Sequence, residues 1–277
     1  MKQCFILLLL YIGVTANAQE LKGILKDADT KEGIPFVNVG VMGKNVGTVS
    51  AEDGRFAISI PAGHENDTLR VSTLGYANRD FIVKDFVKAI TSNEVVLLKP
   101  ESIKLDEVVV SNKKPKQKTL GSGAKSKSMT LGFTSEKLGN ELGALMKIKG
   151  SPTKLLKFTA QVTSSDNPPA KMRLNFYSKT KKGNLPDALL TTENIIVTLP
   201  KNAEPLVVDL TKYNIMVEDD FYVTLEWLQD IPSKVRFSAG FMGPTMVARD
   251  TSQGGWEKIN SFTAVSYTHL RAHETDS

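Results

Sequence analysis

The chain has 277 residues, 35 Lys and Arg against 30 Asp and Glu, a formal charge of +5, and one cysteine. That length is ample for two modest hydrophobic cores. The single thiol, Cys4, lies within the first 18 residues, so the remainder excludes disulfides, cysteine nucleophiles and thiolate metal sites. The basic balance is local: Lys113, Lys114, Lys116, Lys118, Lys125 and Lys127 fall in one short segment without an acid, and without them the formal +5 becomes −1. Such a run reads as a solvated, self-repelling tether, and no nucleic-acid partner is expected.

Residues 1–18 have the three parts of a signal peptide: Lys2, an apolar run from Phe5 to Val14, and small residues at Ala16-Asn17-Ala18 before Gln19. The apolar run is roughly ten residues, short of the roughly twenty that span a bilayer as a helix. Cys4 precedes it, whereas a lipoprotein cysteine would come after it. The expectation is an exported chain, in the periplasm or at the outer membrane or cell surface, soluble or peripherally held.

Residues 19–100 form the first expected domain. Leu21–Lys26, Phe36–Val41, Phe56–Ile60, Leu69–Ser72 and Val95–Leu98 are short, rich in β-branched or aromatic residues, and often alternate apolar with polar. Asp53-Gly54 predicts a type I′ hairpin, and Gly75 a bend where a side chain would not fit. His64 lies in a turn and is expected to be exposed and idle. The spacing predicts a small antiparallel sandwich. GILKDADTKEGIPFVNV, GTVSAEDGRFAISIPAG and LRVSTLGY resemble the carboxypeptidase regulatory-like domain, a transthyretin-like, Ig-like β-sandwich frequent in exported proteins of Bacteroidetes-type bacteria. The resemblance implies a module that accompanies catalytic units and carries no catalytic residue. A zinc carboxypeptidase needs a closely spaced His and Glu with a distant His, and the sequence offers no such set.

Residues 101–127 come next. Leu105–Ser111 looks like the segment found after the same domain in SusC-type outer-membrane transporters, where it acts as a TonB box. Asp106, Glu107, Val108, Val109 and Val110 would then be a strand donated to a partner's sheet edge. The plainer reading makes Val108–Val110 another strand of the first sandwich; the chain is too short for a transmembrane barrel, and the residues beyond Ser111 do not resemble a plug domain. Asn112–Lys127, rich in Lys, Ser, Gly and Pro, is expected to be a flexible or extended tether.

Residues 128–264 read as a second domain. Strands are expected at Met129–Phe133, Leu142–Ile148, Leu155–Val162, Met172–Tyr177, Ile195–Leu199, Leu206–Leu210, Phe221–Trp227, Val235–Phe241 and Trp256–Phe262, with Leu138–Glu141 able to open a short helix. About eight or nine strands in this length predict a larger, jelly-roll-like sandwich, so the expected fold class is all-β. KSKSMTLGF, GNELGALMKIK, DLTKYNIMVEDDFYVTLEW and TSQGGWEKI are similar to a region that recurs after regulatory-like domains in exported Bacteroidetes proteins. Val265–Thr275, VSYTHLRAHET, resembles one reading frame of a sequencing adapter. Residues 265–277 are therefore expected to be an artefact, with the second domain cut short.

No catalytic, cofactor or metal set emerges. His269 and His273 would share a helix face as zinc ligands do, but fall in the adapter-like tail. Glu218-Asp219-Asp220 lacks the spacing of a calcium loop and reads as a solvated turn. Asp209 and Glu226, the candidate carboxylate pair for glycoside hydrolysis, are both expected at the surface. No nucleophile elbow or nucleotide-binding glycine pattern occurs. Trp227 alternates in phase with Val223 and Leu225 and is expected in the core, while Tyr213 is an unplaced aromatic. Trp256, after Gly254-Gly255, and Tyr222, on the face opposite Trp227, are the candidate ligand-stacking rings. The expected function is a non-catalytic exported envelope protein, a structural or protein-interaction module that contacts another protein or an envelope component. The alternatives are a glycan-binding module of a polysaccharide-uptake system, or a fragment related to the N-terminal part of a TonB-dependent outer-membrane receptor.

Overall fold

The computed structural model describes residues 20–102, 116–121, 130–133, 137–148, 152–164, 170–200, 204–229, 235–238, 245–259 and 268–274. The expected signal peptide and the segment Asp106–Val110 lie outside them. The fold is all-β, in two sandwiches. Among the described residues no helix is long and apolar enough to cross a membrane.

The first sandwich comprises β1 (Glu20–Asp27), β2 (Asn38–Val41), β3 (Gly47–Val49), β4 (Arg55–Ser59), β5 (Thr68–Ser72), β6 (Arg79–Ile82), α1 (Val83–Ser92) and β7 (Val95–Leu98). Its sheets run β4-β1-β7 and β3-β2-β5-β6. Alternation along β1 sends Leu21 and Leu25 inward, where Val39, Val71, Phe86 and Leu98 meet them, fully buried. Three expectations need correction here. The sandwich is not purely antiparallel, because β1 and β7 pair in parallel. The helix α1 is absent from the sequence reading: Val83, Phe86 and Ile90 fall at helical spacing within a ten-residue run, too short to stand out against the strands around it. Asp53-Gly54 is a corner between sheets, since β3 pairs with β2 and β4 with β1. Only Gly54 of that pair takes a positive φ, +84°, and a Cβ there would lie 2.5 Å from the Leu25 carbonyl oxygen. Gly75 bends as expected, at φ +86°, but open space surrounds it, so backbone conformation is what favours glycine there.

The second sandwich begins with β8 (Lys116–Leu120), inside the expected tether, then β9 (Thr130–Gly132), β10 (Glu141–Met146), β11 (Thr153–Ser164), β12 (Lys171–Lys179), β13 (Pro186–Leu189), β14 (Ile195–Thr198) and β15 (Pro205–Asp209). It continues through β16 (Met216–Val217), β17 (Phe221–Trp227), β18 (Arg236–Ser238), β19 (Met246–Arg249), β20 (Glu257–Ile259) and β21 (Thr268–Glu274). One sheet runs β13-β12-β17-β10-β19-β20 with β14 on β12; the other runs β8-β21-β11-β18-β9 with β15 and β16 on β11. The core between them includes Met146, Phe158, Phe176, Val223, Trp227 and Phe237. Leu138–Glu141 is a turn into β10 and not a helix, with Gly139 at φ +76°. The adapter-like residues Thr268–Glu274 form β21, paired with β8 and β11. His269 and His273 thus stand on a strand and not on the helix that the expected zinc-like spacing requires.

Candidate functional site

Among the described residues, a close-set group of ionisable side chains lies on the outer face of the second sandwich. Along β17 the residues Val223, Leu225 and Trp227 face the core, so Tyr222, Thr224 and Glu226 face away. The register then sets Arg173, Glu226, Glu141 and Arg249 side by side across β12, β17, β10 and β19. Arg173 Nη1 lies 3.2 Å from Glu226 Oε2, and Arg249 Nη2 lies 2.5 Å from Glu141 Oε2 and 3.9 Å from Glu226 Oε1. Asn175 Nδ2 donates to both carboxylates, at 2.9 Å to Glu141 and 3.2 Å to Glu226. The Thr224 and Tyr177 hydroxyls donate to Glu141.

This row is sealed. Glu141 and Glu226 are 0% exposed, Arg173 3% and Arg249 9%. The first sandwich covers one end: Arg173 donates to the Phe36 carbonyl and, at 3.3 Å, to Asn38 Oδ1. Trp256 covers the other, with its ring 4.8 Å from the Arg249 guanidinium and edge-on to Tyr177 at 5.6 Å. Burial raises the Glu226 pKa despite the opposing Arg173 charge. Burial, followed by the Glu141 carboxylate, holds the Tyr177 hydroxyl well above its ordinary range. Burial works against the Arg249 charge, but the pull of Glu141, Tyr177 and Glu226 outweighs it and raises its pKa.

Several expected sites move. Glu226 is buried, not at the surface, because a neighbouring domain closes over its face. Asp209 is exposed on β15, in the other sheet, and accepts from Thr211 N at 2.9 Å, so it forms no pair with Glu226. Tyr222 is fully buried and donates to the Asn184 carbonyl at 2.7 Å, leaving no ring face for a ligand. Trp256 is half-buried, and Trp227 is in the core, edge-on to Phe133 at 5.2 Å. Tyr213 is half-buried beneath Lys212. His64 is also half-buried rather than idle, with Nδ1 2.7 Å from Asp67 Oδ2.

Open clefts also lie among the described residues. One of about 1300 Å³ is lined by Lys154, Lys179, Asn184, Asn214, Glu218 and Asp220. Its Asp220 accepts from Ile148 N at 3.0 Å and Lys179 Nζ at 3.4 Å, while Glu218 and Asp219 are exposed. Another, of about 1110 Å³, lies between the sandwiches, against Ile24, Phe36, Leu138 and Leu228. Among the described residues no three His, Cys, Asp or Glu stand together to hold a metal.

One arrangement has no counterpart in the sequence reading. Asp27 Oδ1 accepts from Asp29 N at 2.7 Å and Thr30 N at 2.9 Å, while Oδ2 accepts from the Tyr76 hydroxyl at 2.9 Å. The two ends of the motif-bearing stretch are thereby tied across the first sandwich. Residues 21–110 match the family model described as CarboxypepD_reg-like domain. The first sandwich is therefore a carboxypeptidase regulatory-like domain, a class of non-catalytic module, of the Bacteroidetes type. The chain is similar to the TonB-dependent receptor SusC of Bacteroides thetaiotaomicron, 35% identical over 103 residues. That match covers 36% of this chain and 9% of the receptor, so the chain spans less than a tenth of its curated relative.

Proposed function

We propose that this chain is an exported, non-catalytic envelope protein, whose regulatory-like domain and second sandwich together present a surface to a protein partner at the periplasmic or outer-membrane face. The observation that carries the reading is the burial of the Arg173–Glu226–Glu141–Arg249 row. This row of polar side chains is sealed from solvent and serves contacts between the molecule's own strands and domains. The likeness to a TonB-dependent receptor supports an envelope setting, and Asp106–Val110 supplies the candidate donor strand. Fractionation of a Bacteroides-type host expressing the full chain, with in-cell crosslinking, tests this. Recovery in the envelope with one specific crosslinked protein is expected, and retention in the cytosol sinks it.

A glycan-binding reading rests on Trp256, the one candidate ring that keeps partial exposure. A glycan array probed with the wild type and Trp256→Ala separates the two: a hit that Trp256→Ala abolishes favours the glycan.

A further inference from the structure

The sequence predicts two sandwiches on a flexible tether, but the glycines of the first sandwich fit a different relation. Gly40 on β2 and Gly47 on β3 stand opposite each other in register. Glycine weakens a strand, and an opposed pair is explained where another backbone must come close. One does. A Cβ built on either glycine would lie 2.3 Å from the carbonyl oxygen of Ser252, in the turn after β19. Ser252 is fully buried, and its hydroxyl donates to Asn38 Oδ1 at 3.3 Å. The next residue, Gln253, accepts from Gly43 N at 2.8 Å and donates to Ser72 Oγ at 2.8 Å.

More contacts surround this seat. Phe36 and Val49 pack on Leu228 beside Leu138 and Ile196. Lys171 reaches Glu52 at 2.7 Å, and Asn194 reaches Thr73 at 3.2 Å. Phe36 and Gln253, on opposite sides of the seam, both take left-handed backbone conformations, at φ +55° and +61°. Side chains rarely adopt these unless the surroundings hold them there.

We propose that the Gly40–Gly47 face of the regulatory-like domain is a recognition surface for the chain's own Thr251–Gly254 turn, and that this seat, with Arg173 on the Phe36 carbonyl, joins the two sandwiches into one cooperative body. The proposal does not depend on the envelope reading, since a cytosolic chain would dock in the same way. The sign of a small substitution tests it. In a strand whose outer face is free, Gly→Ala restricts the unfolded chain and is neutral or stabilising. At the seam, the added methyl must push the turn away. The full chain and its Gly40→Ala and Gly47→Ala variants would be unfolded in urea, monitored by far-UV circular dichroism, with small-angle X-ray scattering before denaturation. The wild type should show one transition. Each variant should lose midpoint, split the transition in two and enlarge the radius of gyration, with a native strand spectrum retained. Arg173→Ala should split the transition likewise. Two transitions in the wild type, or an unchanged or raised midpoint in both glycine variants, overturns the proposal.

Discussion

Asp27 shows how a family motif is held by physics at single-residue scale. Its carboxylate takes three hydrogen bonds, two from the adjoining turn and one from Tyr76, which sits 49 positions further along. The backbone N–H groups of Thr30 and Asp29, then the Tyr76 hydroxyl, hold its pKa below the ordinary carboxylate value. A lowered folded pKa means the stabilisation is present above the unfolded value and is lost as pH falls through the folded one. Acid unfolding should therefore set in below about pH 4, with Asp80 beside Arg70 and Asp209 beside Thr211 adding in the same direction. Asp27→Asn should flatten the acid limb of a stability–pH curve; an unchanged limb would exclude Asp27 as a contributor. Tyr76→Phe keeps the ring and removes the hydrogen bond to a charged acceptor, so chemical denaturation at neutral pH should show a loss of about 1.5 kcal/mol. The motif residues themselves were legible in the sequence. Their partnership was not, because no local pattern states which turn a distant tyrosine will reach.

At the scale of elements, alternation along β17 divides its residues correctly into two faces, with Trp227 inside and Glu226 outside. It does not say what covers the outer face, and there the surface expectation for Glu226 failed. The cover comes from residues 36–38 and from Trp256, both remote in sequence from β17. A charge sealed in this way depends on its partner. Glu226→Leu would leave Arg173 buried without its carboxylate, and a loss of about 3–5 kcal/mol is expected from thermal or urea unfolding. Arg173→Met combined with Glu226→Leu should cost well below the sum of the two single changes, because the uncompensated charge disappears with both. Strict additivity in that cycle would show that the two side chains do not sense each other. The same limit hid α1 and β8: a ten-residue helix and a strand of mixed Lys and Thr carry little periodic signal of their own, and tertiary pairing decides their state.

For the whole molecule, the two sandwiches and most of their strands are consequences of alternation and turn residues, whereas their docking depends on surfaces that only the folded state creates. The tryptophans allow that docking to be monitored directly. The chain has two, both in the second sandwich. Trp227 is 5% exposed and packs within that sandwich's own core. Trp256 is half-buried close to the Thr251–Gly254 turn, against Arg249 and Tyr177. The Trp256 ring packs on its own sandwich, but the Thr251–Gly254 turn leads directly into it. Displacing that turn should therefore loosen the Trp256 packing and hydrate the ring while leaving Trp227 dry. Gly40→Ala should shift the emission maximum to longer wavelength, and placing the same substitution in a Trp256→Phe background should abolish the shift, since Trp227 alone then reports. A red shift that persists without Trp256 would locate the disturbance in the core of the second sandwich, and the glycine seat would then be a determinant of folding and not of docking.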